Sequence, residues 1–305
     1  MYRINKLEKN RDGVTSMKIA FLGIGAMGSR IAQNLMASGY ELQIWNRTLE
    51  KCKALEKLGA KVCDTPAAAV KDVDVAIAMV TDDRASEDVW LNQTTGAITG
   101  LNLDTIVLEY STLTPHWCRK LAADINHRGC EFLDAPVVGS RPQAEAKALI
   151  HLVGGRHEVL EKVREVVAAS SSTIHHIGEV GMATTLKLAV NTLFAVQVAS
   201  LGEVLGVLSR GGMEIQEAVT LLNQLPTTSP ALKGIGLVIS ANNYSPLFPI
   251  DLVQKDLSYA ELANSTKANT PLTTTTRKLY QEAIAQGYGE KNIAAVAKLF
   301  LPEIM

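Results

Sequence analysis

The chain contains no C-x-x-C pair. Its four cysteines, Cys52, Cys63, Cys118 and Cys130, are scattered, so neither a zinc site nor a redox dithiol is signalled. Scattered thiols fit a reducing compartment, and a cytoplasmic location is expected. His116, His127, His151 and His157 show no ligand spacing, and no metal is expected. His175 and His176 close a strand, where a site role and a structural role are both open. Excess charge of one sign is also missing. Lys and Arg number 30 against 31 Asp and Glu, so no basic field invites nucleic acid or an anionic membrane. Aromatic residues make up 5% of the chain and do not interleave with basic ones. The longest apolar stretch, residues 186–208, is broken by Lys187, Asn191, Gln197 and Glu203, which makes it a core helix and not a membrane span. Residues 1–16 are polar and mixed in charge, lack the apolar centre of a signal peptide, and read as an extension that is flexible or weakly docked. There is no internal repeat and no low-complexity tract.

What is present is a chain of 305 residues, 47% hydrophobic, enough for one large or two medium cores. Its organising stretch is residues 17–48. Residues 18–22 form a short apolar run suited to a buried parallel strand. Gly23, Ile24, Gly25, Ala26, Met27 and Gly28 follow at G-x-G-x-x-G spacing, then a helical pattern with Ile31 and Leu35 on one face, then a second strand at 42–45. In that βαβ context the glycines have separate tasks. Gly23 permits the turn, Gly25 lets a pyrophosphate approach the backbone, and Gly28 lets the helix pack closely. The helix N-terminus favours an anion. At the end of the second strand stand Asn46, Arg47 and Thr48, with Lys51 a turn later, where an NAD site usually carries Asp or Glu. A guanidinium there can grip a 2′-phosphate, so NADP(H) is expected; a solvated surface arginine is the alternative.

A helix is expected at 48–58, closing at Gly59. Strands are expected at 61–63, 73–80, 105–109, 131–133, 149–154 and 173–176. Met79 and Val80, at the end of the 73–80 strand, are candidate cofactor contacts at the carboxyl edge of the sheet. Strands alternating with helices over 17–178 indicate a doubly wound sheet. From residue 183 onward the periodicity is helical. The first helix is expected over about 183–209, roughly 40 Å long, with Gly211-Gly212 as its stop. Pro226, Pro230, Pro246 and Pro249 bracket a segment read as irregular, and helices restart near Asp251 and Leu272. The fold class is therefore α/β, an N-terminal doubly wound Rossmann sheet followed by an all-helical domain. The expected domains are an extension at 1–16, a dinucleotide-binding domain at 17–179, and a substrate and oligomerisation domain at 180–305.

Four stretches carry candidate chemistry. Lys187 and Asn191 are four residues apart, on one face of an apolar helix. An ammonium and an amide there need polar partners, met either by a substrate cleft or by a salt bridge and an interhelical hydrogen bond. Lys255 and Asp256 form either a surface pair or part of the same site. Ser111 and Thr112 follow a strand end. In the run from Val137 to Arg141, Gly139 allows a tight turn whose amides suit an anion.

These motifs, in this order, resemble the β-hydroxyacid dehydrogenase family over nearly everything from Met17 to Leu301. The phosphate loop is Phe21 to Gly28, the substrate motif Asp134-Ala-Pro-Val-Val-Gly-Ser140, the catalytic motif Gly178 to Asn191, and the cofactor motif Lys255-Asp-Leu257. Residues 44–52 and 137–142 look most like the glyoxylate/succinic semialdehyde reductase branch, which uses NADPH. The resemblance implies that Lys187 is the catalytic lysine and Asn191 the amide that helps hold substrate. It also implies that Lys255 lies near the cofactor ribose and that Thr112 touches cofactor or substrate. Val138, Gly139 and Ser140 join Thr112 as substrate contacts. Val138 stands where the family usually has Ser, and Ala183 where it usually has Gly. Loss of the serine hydroxyl removes a carboxylate contact worth on the order of 1 kcal/mol.

The expected reaction is reduction of a small aldehyde or oxo acid to a hydroxy acid, Lys187 donating the proton. An unperturbed lysine, with pKa about 10.4, is protonated at neutral pH and suits this direction. The rivals are a 3-hydroxyisobutyrate-type dehydrogenase and a non-catalytic NADPH-binding module. A homo-oligomer is expected as well, because Leu193, Phe194, Val196 and Val198 are more than one helical layer buries.

Overall fold

The computed structural model describes residues 17–263 and 269–301. The expectation for residues 1–16 lies outside the described residues. Contacts divide the chain into two compact units, one ending at Lys187 and one beginning at Leu188.

The first unit is built on nine strands: β1 (Lys18–Leu22), β2 (Glu41–Trp45), β3 (Lys61–Val62), β4 (Val75–Ala78), β5 (Ile106–Glu109), β6 (Glu131–Asp134), β7 (Val137–Val138), β8 (Leu149–Gly154) and β9 (Ser171–Gly178). Their order is β3-β2-β1-β4-β5-β6-β8-β7, with β9 paired to β8. The first six are parallel, in the 3-2-1-4-5-6 order of dinucleotide-binding sheets. Alternation along the central strands explains the double winding. Ile19, Phe21, Val75 and Ile77 enter one core with Ile31 and Leu35 of the helix Gly28–Ala37. Ala20, Leu22, Ala76 and Ala78 enter the other with Trp90, Trp117 and Leu121. Each central strand is apolar on both faces because helices cover both.

Two local expectations are corrected. Val137–Val138, not among the expected strands, is a strand antiparallel to β8, because the chain turns back immediately after β6. The helix expected over 48–58 is a 3₁₀ turn, Leu49–Cys52, followed by a four-residue helix, Lys53–Glu56. Cys52 and Leu55 are its only buried side chains, too little apolar area to hold a longer amphipathic helix.

The helix Met182–Arg210 starts in the first unit and continues in the second. The division by contacts falls within this helix. The first turn of the helix is tied to the end of β6, as described below. Gly212, at φ +91°, ends it. The second unit continues with helices Ile215–Gln224, Pro230–Ser240, Ile250–Ala263 and Pro271–Ala285 and the 3₁₀ segment Ile293–Leu299. The proline-bracketed segment is thus not irregular throughout. Pro230 occupies the first turn of a helix, where a missing N–H costs nothing, and Ser229 Oγ caps it by accepting from Leu232 N. Val198 is fully buried in the core of the second unit, whereas Leu193 is 63% exposed.

His151, on β8, is buried without charge. Its ring nitrogens lie 3.1 Å from Ala135 O and 3.4 Å from Ser170 Oγ. A neutral imidazole satisfies both, donating from Nδ1 and accepting at Nε2. Burial pushes its pKa down to about 4 from an ordinary 6.5. Between those values the unfolded chain binds a proton that the folded chain refuses. The stability of the fold is therefore full above about 6.5 and falls as pH drops toward 4, by about 3 kcal/mol at 1.36 kcal/mol per unit. Urea denaturation of wild type and His151→Gln between pH 7.5 and 4.5 measures this. The variant should lose this part of the acid dependence, and parallel curves would assign the acid limb to other groups.

Candidate functional site

The phosphate loop joins β1 to the helix Gly28–Ala37. Gly23, at φ +107°, turns the chain beneath the end of β4, where a Cβ would lie 2.2 Å from Met79 O. A Cβ on Gly28 would lie 2.0 Å from Gly23 O, so the loop folds tightly onto the helix start. Gly25 differs from both. A Cβ there meets nothing within 4 Å, and its φ is not positive. Neither packing nor backbone conformation within the protein demands glycine at this position; the room it leaves fits an approaching pyrophosphate. The helix behind it has no side-chain cap at Met27 and no acidic residue in its first turn, which leaves its amides and positive dipole end for an anion. Ile24 is buried, whereas Gly25 and Ala26 are exposed.

Asn46 is a strut of this loop. Its Oδ1 accepts from Ile24 N at 3.0 Å and its Nδ2 donates to Thr48 O at 2.9 Å. It thereby holds the phosphate loop against the end of β2. Arg47 and Thr48 are exposed beside it, and among the described residues Arg47 makes no ion pair. No carboxylate stands at the strand end to repel a 2′-phosphate.

The loops leaving β4 and β5 are fastened together. Val80 N donates to Ser111 Oγ at 2.7 Å. Asp83 accepts from Thr114 N at 2.8 Å and Thr114 Oγ1 at 2.6 Å. Beneath them Glu109 is fully buried. Its carboxylate accepts from Ser86 Oγ, Trp90 Nε1 and Ser111 N at 2.9, 2.9 and 3.1 Å, and Trp117 Nε1 donates to Ser86 Oγ at 2.9 Å. Burial raises the Glu109 pKa, while these donors oppose the shift. Met79, Val80 and Thr112, half-buried at the carboxyl ends of their strands, take their positions from this network. Glu109 and Ser86 were not anticipated. The legible signal was an acid closing the otherwise apolar β5.

At the substrate motif, Gly139 adopts φ +129° after β7. Ser140 N donates to Gln143 Oε1 at 2.9 Å, and the Ser140 hydroxyl completes a capping box on the short helix Arg141–Glu145. The expected anion cradle is therefore narrower than the sequence implied, because the Ser140 amide is engaged within the turn.

Lys187 is buried, one turn into the helix Met182–Arg210. Asp134, which ends β6, fixes the start of that helix. It accepts from Gly181 N and Thr184 N at 2.9 Å and from Thr184 Oγ1 at 2.8 Å. A carboxylate at a helix N-terminus also opposes the dipole favourably. Burial raises the Asp134 pKa against those three hydrogen bonds. Asp134 was quoted in a motif but not assigned a role.

In the second unit, Asn191 Nδ2 donates to the buried Asp256 Oδ2 at 2.6 Å. Lys255 Nζ lies 3.0 Å from Asp256 Oδ1, an ion pair rather than a hydrogen bond, and 5.0 Å from the Tyr259 ring centroid. Asn191, Lys255 and Asp256 thus form one cluster, with Asp256 setting the rotation of the Asn191 amide. His175 and His176 stand on β9, and His176 Nε2 contacts Gly155 O at 2.7 Å, a structural role for His176.

Six parallel strands in dinucleotide order, an open glycine turn at a helix start, and an arginine at the end of β2 define a dinucleotide-binding protein. Residues 18–178 match the family model for the NAD binding domain of 6-phosphogluconate dehydrogenase. Residues 181–300 match that for the NAD-binding domain of NADP-dependent 3-hydroxyisobutyrate dehydrogenase. The chain is 32% identical to the chloroplastic glyoxylate/succinic semialdehyde reductase 2 of Arabidopsis thaliana, over 94% of this chain and 80% of that protein. It is also 32% identical to the cytokine-like nuclear factor N-PAC of Xenopus tropicalis, over 94% of this chain but only 54% of that longer protein. A solved 3-hydroxyisobutyrate dehydrogenase from Mycobacterium tuberculosis, with L-serine, shares the fold at a TM-score of 0.85 and 24% identity, covering 93% of this chain and 99% of that one. The chain belongs to the β-hydroxyacid dehydrogenase family and is an NAD(P)-dependent hydroxyacid dehydrogenase or reductase. The family, the fold class and the NADP(H) cofactor expected from the sequence are borne out.

Proposed function

We propose that the protein is an NADPH-dependent reductase of small oxo acids, of the size of glyoxylate and succinic semialdehyde, with Lys187 as the proton donor. The observation that carries this reading is the buried Lys187 on a helix whose start is pinned by Asp134. A buried ammonium held on a fixed helix suits the stabilisation of negative charge on a carbonyl oxygen and the delivery of a proton to it. When bound, reduced nicotinamide supplies the hydride. Asn191, its amide set by Asp256, orients the substrate, and Thr112, Val138, Gly139 and Ser140 border it. Gly23, Gly25 and Gly28 shape the pyrophosphate site, Arg47 and Thr48 receive the 2′-phosphate end, and Lys255 serves the ribose. The similarity to glyoxylate/succinic semialdehyde reductase 2 supports the substrate class.

Steady-state rates of reduction of glyoxylate and succinic semialdehyde with NADPH and NADH, and of oxidation of 3-hydroxyisobutyrate with NADP⁺ and NAD⁺, test the reading. Wild type should prefer NADPH. Arg47→Asp should lose that preference at least ~10-fold, the scale of a lost charge-assisted contact. A wild-type preference for NADH, or activity confined to oxidation of 3-hydroxyisobutyrate, rules it out.

A further inference from the structure

Four arginines among the described residues are half-buried: Arg30, Arg141, Arg164 and Arg277. Three have a carboxylate. Arg30 pairs with Glu145 at 2.7 Å, Arg164 with Glu161 at 2.9 Å, and Arg277 with Glu261 at 2.8 Å. Arg141 differs. Its Nε is closed off from solvent and has no hydrogen-bond partner among the described residues. The natural partner on its own helix is Glu145, four residues on, and Glu145 is taken by Arg30. A buried guanidinium nitrogen without an acceptor is costly, and an anionic ligand is one way to satisfy it.

The place of Arg141 in the chain says what that anion is. It directly follows Val138, Gly139 and Ser140, the turn assigned to the substrate. Two donors are missing from that turn. Val138 has no hydroxyl, and the Ser140 amide is engaged with Gln143 Oε1. Arg141 is the cation next to that turn, and a guanidinium matches a carboxylate in a forked geometry.

We propose that Arg141 recognises the substrate carboxylate and sets the specificity for acids over neutral aldehydes. This rests on the reductase reading above and adds the group that selects the acid. The test compares kcat/KM for succinic semialdehyde and butanal, four-carbon aldehydes with and without a carboxylate, in wild type, Arg141→Met and Arg141→Lys. Binding of succinate to the NADP⁺-loaded protein is followed by calorimetry in parallel. The acid-to-butanal ratio should fall about 10- to 100-fold in Arg141→Met, with part of it kept in Arg141→Lys, and succinate binding should weaken similarly. An unchanged ratio in an active variant overturns the inference while leaving the reductase reading intact. So does a rise in the KM for NADPH in place of that for the acid. If wild type reduces neither aldehyde yet binds succinate through Arg141, the inference stands and the reductase reading fails. If it neither reduces nor binds them, both fall.

Discussion

Lys187→Met should bind NADPH as wild type does and turn over at least ~100-fold more slowly, the lower end of what a positioned acid contributes. Methionine keeps the length and flexibility of the side chain and removes only the ammonium, so the helix and its Asp134 cap remain. Because the position is buried, a thermal melt of the variant separates loss of turnover from loss of the fold. Lys187→Arg is the informative companion. It retains a cation to offset charge on the carbonyl oxygen but cannot readily surrender a proton. Its turnover should lie between wild type and Lys187→Met. NADPH titration by fluorescence, with stopped-flow turnover on succinic semialdehyde, gives both numbers. Near wild-type turnover in Lys187→Met would remove Lys187 from the proton transfer.

The second large effect separates two glycines three residues apart. Gly28→Ala should destabilise the protein and impair cofactor binding, because its Cβ would sit 2.0 Å from the Gly23 carbonyl oxygen and 3.0 Å from the Phe21 ring. Overpacking of this kind costs roughly 1–3 kcal/mol or more. Gly25→Ala should melt as wild type does in the absence of cofactor, since its Cβ projects into open space. The same methyl should obstruct the pyrophosphate and weaken NADPH binding roughly 5- to 150-fold, the equivalent of about 1–3 kcal/mol. Thermal melts with and without NADPH show the contrast directly, because a ligand stabilises only what it binds. If Gly25→Ala gains as much stability from NADPH as wild type, the pyrophosphate does not rest on that backbone.

The sequence disclosed whatever is written in periodicity and in local motif. Residues 18–22, followed by Gly23, Gly25 and Gly28, announced β1, the turn and the helix, since strand alternation and glycine spacing are one-dimensional signals. The ends of the long helix were legible to one residue because Gly211-Gly212 stops it locally. The partners of buried polar groups were not legible. Asp134 reaches Gly181 and Thr184, and Asn191 reaches Asp256 sixty-five positions away. Nothing local in the sequence marks such pairs. Pro230 misled because a proline that starts a helix and one that ends it look alike until Ser229 is seen to cap. Val137–Val138 was missed because two residues are too few to show alternation.

The three tryptophans all belong to the first unit. Trp90 hangs on the Glu109 carboxylate, Trp117 on Ser86, and Trp45 on the Asp64 carbonyl. Intrinsic emission from this chain therefore watches the nucleotide half alone, and two of its three lamps are wired to the strut beneath the β4 and β5 exits. The helical half is dark at those wavelengths, so a tryptophan signal that shifts with added dinucleotide comes from the Rossmann half without any label.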